Sequence, residues 1–201
     1  RLYLDADVVL GGASARQGLE QLERPGAVAA RPAIRYDTSH SSGIVRRYFR
    51  ARAQMPSVMG SLWGAGVYGL TAAGRARFGD HPDVVAEDHW VDQHFEATEI
   101  DIVGVEPVVV VAPARLRDLL KVRRRAYRGV VENRAAGERP GLVKETTPST
   151  RRDLLRLCRS VRGAVDAATY ASVAVAARVY ARFGRSTRWE RDESSRSVVV
   201  G

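Results

Sequence analysis

Cysteine and long apolar runs are scarce in this sequence, and each scarcity excludes something. A single cysteine, Cys158, excludes an internal disulfide and favours a reducing compartment. The Ala- and Val-rich run from Ala167 to Ala177 holds eleven uncharged residues, whereas a membrane-spanning helix needs about 20. That run therefore predicts a packed or interfacial helix. A secretory signal is not recognisable either.

An initiating methionine is also lacking, because the chain begins at Arg1 and enters a strand pattern at once. We expect the 201 residues to be a piece of a longer polypeptide whose missing part precedes Arg1. The length suffices for one domain or slightly more, with a full core.

Lysine is rare as well, although positive charge is abundant. The net charge is +9, and Lys121 and Lys144 are the only lysines among 32 basic residues. Between Arg115 and Arg134 lie eight basic residues against two acidic ones. Such a block indicates phosphate, anionic lipid or nucleic acid as a partner, and a solvated helix face explains it equally well.

Two aspartates stand at the end of the first apolar run, and the functional prediction depends mainly on them. Asp5 and Asp7 have an i, i+2 spacing, so in a strand their side chains leave the same face. Two carboxylates so close repel each other, and a divalent cation with oxygen ligands, Mg²⁺ or Mn²⁺, would relieve the repulsion. The alternative is a strand that ends in a turn, where aspartate is common.

The order of the following patterns, strand, helix and strand, predicts an α/β fold. A helix is expected over Ala15 to Glu23, and then a strand over Ala27 to Tyr36 in which Pro32 indicates an irregularity or an edge position. A basic helix should follow over Gly43 to Gln54, with Arg52 among the arginines outside its buried face.

Two further motifs follow the basic helix. Gly64 and Gly66 flank Ala65, and glycines there would let the backbone approach a ligand closely, although a tight turn explains them as well. Glu87 and Asp88 stand at the front of a predicted helix, where acidic residues also interact favourably with the helix dipole. Each motif alone is weak evidence of function.

The helix behind these acidic residues should bury Trp90, Val91, His94 and Phe95. His89 and His94 are five residues apart, which is a poor spacing for one metal on one helix. We therefore interpret both histidines as packing or surface residues.

The second half of the sequence predicts two short strands within Ile100 to Ala112, followed by a helix from Pro113 to Arg128 that carries the basic block and ends at Gly129. A last helical region is then expected over Arg151 to Phe183. The resulting division of the chain is a domain at 1–134, a linker at 135–150, an amphipathic helical segment at 151–183 and a loose polar tail at 184–201.

Four motifs occur in one order along the chain: Leu4-Asp5-Ala6-Asp7, Gly64 to Thr71, Glu87-Asp88 and Arg123 to Gly129. This order resembles the family 2 glycosyltransferases, which have the GT-A fold, over about residues 1–134. The resemblance implies a GT-A-like mixed sheet flanked by helices, of which this chain holds the C-terminal half, followed by a helical C-terminal segment. It also implies an inverting enzyme, dependent on Mg²⁺ or Mn²⁺, that moves a sugar from a nucleotide diphosphate sugar to an acceptor hydroxyl.

The resemblance also implies residue roles. Asp7 would be the principal metal ligand, and Asp5 would support the metal or the donor. Asp88 would deprotonate the acceptor hydroxyl, and Glu87 would position Asp88 or the acceptor. The donor sugar would face Gly64, Ala65 and Gly66, while phosphate or acceptor would lie near Arg123, Arg124, Arg125 and Arg128. Metal and guanidinium groups would stabilise the charge of the leaving nucleoside diphosphate.

One departure from the family concerns its Gln-x-x-Arg-Trp motif. Only Arg125 matches, because Val122 and Ala126 stand where Gln and Trp would be. This favours addition of one sugar over processive synthesis. The implied acceptor is a lipid, a glycan or a small molecule, without nucleic acid as a partner. The implied location is the bacterial cytoplasm, and peripheral contact with anionic lipid at the inner face of the membrane stays open.

Three alternatives remain on the sequence alone. In haloacid dehalogenase-like phosphatases, Asp5 would be a nucleophile, and Glu87-Asp88-x-x-x-Asp92 would mimic an acidic Mg²⁺ motif. That chemistry requires a lysine between the two acidic motifs to balance their charge, and no lysine precedes Lys121. The second alternative is a catalytically inactive transferase remnant. The third is an arginine-rich module that binds nucleic acid or anionic membrane, which would show a steep dependence on salt.

Overall fold

A computed structural model of the chain describes residues 1–5, 8–80, 86–135 and 146–183. Within them the strands are β1 (Leu2–Leu4), β2 (Ala29–Asp37), β3 (Val67–Leu70) and β4 (Ile100–Val111). The α-helices are α1 (Gly12–Leu22), α2 (Gly43–Ala53), α3 (Pro56–Met59), α4 (Ala72–Arg75), α5 (Glu87–Asp92), α6 (Leu116–Ala135), α7 (Thr146–Leu157) and α8 (Val161–Phe183).

The four strands form one mixed sheet in the order β1-β3-β2-β4. Strand β3 runs antiparallel to both β1 and β2, while β2 and β4 are parallel. A mixed sheet with helices agrees with the predicted α/β class. The finer expectation, a GT-A fold, stays a prediction, as does the division into domains.

The pairing of β2 with β4 contains an irregularity at Pro32. The register passes from Pro32 opposite Val103 to Ile34 opposite Val108, so β4 carries extra residues there. The irregularity predicted at Pro32 is confirmed, although β2 is a central strand. The prediction of two short strands within residues 100–112 is wrong, because the bulge takes up the interruption and β4 continues as one strand.

Helices α2, α6 and α8 pack around a shared core. Its buried members include Tyr48 from α2, Leu119 from α6, and Tyr170 and Val173 from α8. An ion pair between Arg50 of α2 and Asp166 of α8 joins two of these helices, with 2.6 Å between Nη2 and Oδ1. The C-terminal helical segment therefore packs on the same core as α2.

Several helix ends differ from the predicted ones: α1 begins at Gly12 instead of Ala15, and the largest differences concern α6 and the C-terminal helical region. Helix α6 continues past Gly129 as far as Ala135, because a buried glycine inside a helix costs only about 1 kcal/mol. The predicted helical region at 151–183 consists of two helices, α7 and α8, and the first of them begins earlier, at Thr146. Residues 136–145 of the predicted linker and the whole predicted tail lie outside the described residues, and residues 146–150 already belong to α7.

Helix α5 and the residues after it bury the predicted side chains. Trp90, Val91 and Phe95 join a second core cluster, and His94 is buried with its ring against Phe78 and Trp90. The interpretation of His94 as a packing residue is confirmed. Across the described residues, a helix both long and apolar enough to cross a membrane is not found.

Candidate functional site

A cleft of about 340 Å³ opens where the end of β1, the start of β3 and the start of α5 meet. Because β1 and β3 are antiparallel neighbours, the residues after β1 meet those before β3, with Leu4 opposite Val67. The cleft is lined by Tyr3, Leu4, Asp5, Leu62, Gly66, Val67, Tyr68, Glu87 and Asp88. Three of the four sequence motifs thus contribute to one cleft.

Asp5 follows the last residue of β1 at the exposed side of the cleft. Its backbone N–H donates to the carbonyl oxygen of Gly66 at 2.8 Å, which ties it to the entry of β3. Its predicted partner Asp7 lies outside the described residues. Among the residues that the structure describes, no group of three or more His, Cys, Asp or Glu side chains could hold a metal ion. The predicted metal site therefore stays a prediction.

Two glycines give the loop of residues 63–66 before β3, the glycine loop, its shape. Gly64 and Gly66 have φ values of 90° and 65°, in the left-handed region that favours glycine. A Cβ atom on Gly66 would lie 2.5 Å from Cγ2 of Val8 and 3.0 Å from Oδ2 of Asp5. Ala65 between them is buried and packs with Ile34 and Val67. Of the predicted donor-binding residues, Asp5 and Gly66 line the cleft, whereas Gly64 and Ala65 are not among its lining residues.

The Asp88 carboxylate is held in place by two backbone N–H groups. Gly64 donates to Oδ2 at 3.0 Å, and His89 donates to Oδ1 at 2.7 Å. The first of these bonds joins the start of α5 to the glycine loop. A carboxylate oxygen has more than one acceptor position, so both oxygens can accept a further hydrogen bond. Asp88 can therefore act as a general base toward a hydroxyl group bound in the cleft.

The Glu87 carboxylate has a different partner, the hydroxyl of Tyr68, which donates to Oε1. Tyr68 lies opposite Tyr3 in the β1–β3 pair, and the two rings stack with their centroids 4.9 Å apart. Burial, together with the hydrogen bond to Glu87, raises the pKa of Tyr68, so the phenol keeps its proton and remains the donor. The tyrosines at these two facing positions were not among the predicted site residues.

The predicted arginines lie on α6, and they do not line the cleft. Arg123, Arg124, Arg125 and Arg128 are all partly exposed. The guanidinium of Arg123 lies over the ring of Tyr127, 5.2 Å from its centroid. Among the described residues, the acidic side chains Asp5, Glu87 and Asp88 therefore line the cleft, whereas the arginines of the basic motif lie elsewhere.

Two buried charged residues, Arg31 and Asp92, hold the segment that leads into the glycine loop. Neither was among the predicted site residues. Arg31, on the central strand β2, donates from Nη1 to Pro32 O at 2.7 Å and from Nη2 to Met59 O at 2.6 Å, and its Nε donates to a third carbonyl. Burial lowers the pKa of Arg31 to about 10. Asp92 accepts from the N–H of Leu62 at 2.7 Å. An arginine within the otherwise apolar run from Ala27 to Ile34 was the available signal.

Arg52 corrects an expectation from the sequence. It was placed outside the buried face of its helix, but its exposed fraction is 5%. Its Nε donates to the hydroxyl of Tyr36 at 2.8 Å, and its guanidinium lies 4.8 Å from the centroid of the Trp63 ring. The aromatic partners come from β2 and from the glycine loop, so a helical pattern alone does not reveal them.

Comparisons with known proteins do not assign a family to this chain. No family model, curated protein or solved structure matches this sequence or its fold.

Proposed function

We propose that the protein is an inverting glycosyltransferase that moves one sugar from a nucleotide diphosphate sugar to an acceptor hydroxyl. The observation that carries the proposal is the meeting of Asp5, Gly66, Glu87 and Asp88 in one cleft. These residues come from three separated motifs. The pairing of β1 with β3 brings Asp5 to Gly66, and hydrogen bonds from Gly64 and Tyr68 to Asp88 and Glu87 add the start of α5. The four-motif resemblance to family 2 glycosyltransferases supplies the reaction class.

In the proposed reaction Asp88 is the general base. An acceptor hydroxyl would donate a hydrogen bond to the Asp88 carboxylate, which takes the proton as the hydroxyl oxygen attacks the anomeric carbon. A new C–O bond forms on one face of the sugar. The bond to the diphosphate breaks on the other face, and its electron pair leaves with the nucleoside diphosphate. Attack opposite the leaving group inverts the anomeric centre.

The residues around Asp88 would fix its direction. Its bonds to Gly64 and His89 hold the carboxylate plane, so less conformational freedom is lost in the transition state. Glu87, held by Tyr68, is assigned a positioning role toward the acceptor. The acceptor hydroxyl belongs to a lipid, a glycan or a small molecule in this proposal.

Donor binding is assigned to the open side of the cleft. Asp5 lines that side and its carboxylate oxygens suit Mg²⁺ or Mn²⁺, which prefer oxygen ligands. Asp7, outside the described residues, would be the principal ligand in this proposal. A bound cation would offset the charge on the leaving diphosphate. The glycine at position 66 leaves room beside Asp5, since a side chain there would meet the carboxylate.

The phosphatase alternative is less well supported. Its acidic motif would use Asp92 together with Glu87 and Asp88. Asp92 is fully buried, accepts the N–H of Leu62, and is absent from the lining of the cleft that contains Asp5. The spatial arrangement therefore favours transfer over phosphate hydrolysis.

Replacing Asp88 by Asn tests the proposed base. Asparagine keeps the shape, and its one carbonyl oxygen can still accept from either Gly64 or His89, but the amide does not take up a proton at neutral pH. We expect Asp88→Asn to lower the transfer rate by about 10³-fold or more while donor affinity stays within about twofold. The matched control is Asp80→Asn, an exposed aspartate that does not line the cleft. Full transfer activity in Asp88→Asn, measured with the donor that binds, would contradict the proposed role.

A further inference from the structure

Five exposed arginines surround the connection between α7 and α8: Arg151, Arg152, Arg156, Arg159 and Arg162. We call the surface of residues 151–162 the basic corner. The acidic residues of the stretch 151–166, Asp153 and Asp166, are both buried. Among the described residues, Arg156 is the only one of the five that forms an ion pair, with 3.7 Å between its Nη1 and Oδ1 of Asp153. The basic corner therefore carries positive charge that carboxylates of its own segment do not neutralise.

The basic corner also exposes two large apolar side chains. Val161 is 86% exposed, more than any other large apolar side chain of the described residues, and Leu155 is 72% exposed. Leu155 stands four residues after Arg151, which places both on one face of α7, and Arg159 follows just beyond the end of that helix. Val161 adjoins Arg162 in the first turn of α8. Single exposed apolar residues are ordinary on a protein surface, but these two lie within a cluster of arginines.

Packing determines which side of α7 and α8 faces outward at this corner. Leu154 and Leu157 pack against the core shared by α2, α6 and α8, and the buried Asp153 accepts the N–H of Ser57 at 2.8 Å. A Cβ atom on Gly163 would collide with the carbonyl oxygen of Leu157, so the start of α8 lies directly against the end of α7. The exposure of the arginines and of the two apolar side chains is therefore a consequence of the fold.

We propose that the basic corner binds the surface of a membrane that contains anionic lipid. The charge of the corner is complementary to lipid phosphate groups, which guanidinium groups bind well. Leu155 and Val161 would enter the boundary between headgroups and acyl chains, where the burial of their apolar surface adds to the attraction. The proposal is independent of the reaction in the cleft, and it concerns a surface other than the basic block of α6.

The exposed apolar side chains favour this partner over two others. A nucleic acid would be attracted to the arginines, but its phosphate backbone offers nothing that buries Leu155 and Val161. A second copy of the chain could cover the apolar side chains, but it would bring two sets of five arginines together, and like charges repel. An anionic membrane accommodates both kinds of side chain.

Sedimentation of the full chain with lipid vesicles tests the proposal. We expect binding to vesicles of phosphatidylcholine mixed with an equal amount of phosphatidylglycerol, little binding to phosphatidylcholine alone, and weaker binding as the salt concentration is raised. Arg152→Gln combined with Arg159→Gln should weaken the binding roughly 20-fold, because each arginine near an anionic surface contributes about fivefold. Leu155→Ser leaves the charge unchanged and should weaken the binding about fivefold or more.

The matched control combines Arg24→Gln with Arg35→Gln. Both arginines are exposed and lie outside the basic corner, so the control removes the same net charge from another part of the surface. Its affinity for the anionic vesicles should stay within about twofold of the wild-type value, because charges farther from the lipid are screened.

Three outcomes would overturn the proposal. The first is failure of the wild-type chain to bind the anionic vesicles, which does not depend on any variant folding. The second is an equal loss in the Arg152 and Arg159 double variant and in its control, which would indicate attraction to the net charge alone. The third is unchanged vesicle affinity in Leu155→Ser. Binding of a duplex oligonucleotide that the double variant weakens would then assign the surface to nucleic acid, and a wild-type dimer that Leu155→Ser dissociates would assign it to a second copy.

Discussion

Glu87 and Asp88 are adjacent in sequence, yet each is held by a different part of the molecule. Asp88 is bonded to the backbone of the glycine loop, and Glu87 to the phenol of Tyr68 on β3. The start of α5 is therefore anchored to the segment before β3 and to β3 itself. This double attachment explains how so short a helix can present two carboxylates to the cleft in defined directions.

The shape of the cleft should be sensitive to any side chain added at Gly66. Alanine there would adopt an unfavourable φ of 65°, and its Cβ would meet Val8 and Asp5. We expect Gly66→Ala to lower the free energy of unfolding by roughly 1–3 kcal/mol and to weaken donor binding. Gly79→Ala is the control, because its Cβ would meet no atom within 4 Å and its φ is not in the left-handed region. Equal stability of the two variants in urea unfolding would contradict the prediction.

His94 should make folding stability dependent on pH. Burial lowers the pKa of His94 below 6.5, so the unfolded chain binds this proton more readily than the folded chain does. Stability is therefore fully present above about pH 6.5 and falls as the pH drops toward the folded pKa, by up to about 1.4 kcal/mol per pH unit. In denaturant unfolding between pH 5 and pH 8, His94→Gln should show a flatter profile than the wild type.

The control for this pH profile is His40→Gln, since His40 is exposed. The free energy of unfolding of His40→Gln should change with pH as steeply as that of the wild type. An unchanged slope in His94→Gln would show that His94 does not determine the acid sensitivity.

At the scale of elements, some structure was predictable from local pattern and some was not. The extent of α2 and the irregularity at Pro32 follow from helical periodicity and from the missing N–H of proline. The continuity of β4 depends on its bulged pairing with β2, which is not a local property of its sequence. The burial of Arg52 likewise depends on Tyr36 and Trp63, which belong to other elements.

The ion pair between α2 and α8 should respond unequally to loss of its two members. Asp166 is buried, with 1% of its side chain exposed, whereas 35% of the Arg50 side chain is exposed. Removing Arg50 leaves a buried carboxylate without its partner, while removing the charge of Asp166 leaves an arginine that can reach water. We expect Arg50→Met to lower the free energy of unfolding by about 2–3 kcal/mol and Asp166→Asn by less.

Urea unfolding of both variants measures this asymmetry, with Arg46→Met as the control for loss of an exposed arginine from α2. Reversal of the order, with Asp166→Asn the less stable variant, would show that the buried carboxylate is not the costly member of the pair.

At the scale of the whole molecule, the sheet determines which motifs meet. The antiparallel pairing of β1 with β3 brings Asp5 to Gly66, and α5 brings Glu87 and Asp88 to the same cleft. The sequence supplied these motifs, but their meeting depends on strand order, which no single motif encodes. The arginines of α6 were expected near phosphate or acceptor; they do not line the cleft, and Arg123 lies over the ring of Tyr127 on its own helix. Asp7, the expected principal metal ligand, lies outside the described residues.

We propose that this cleft binds a nucleoside diphosphate through a divalent cation. Calorimetric titration of UDP, GDP and dTDP, with Mn²⁺ and then with chelator, tests it on the wild type and on Asp7→Ala. We predict that one nucleotide binds at least about tenfold more tightly with Mn²⁺, and that Asp7→Ala loses this difference while retaining its metal-independent affinity. Equal affinity with and without metal, or no binding of any of the three, would contradict the account.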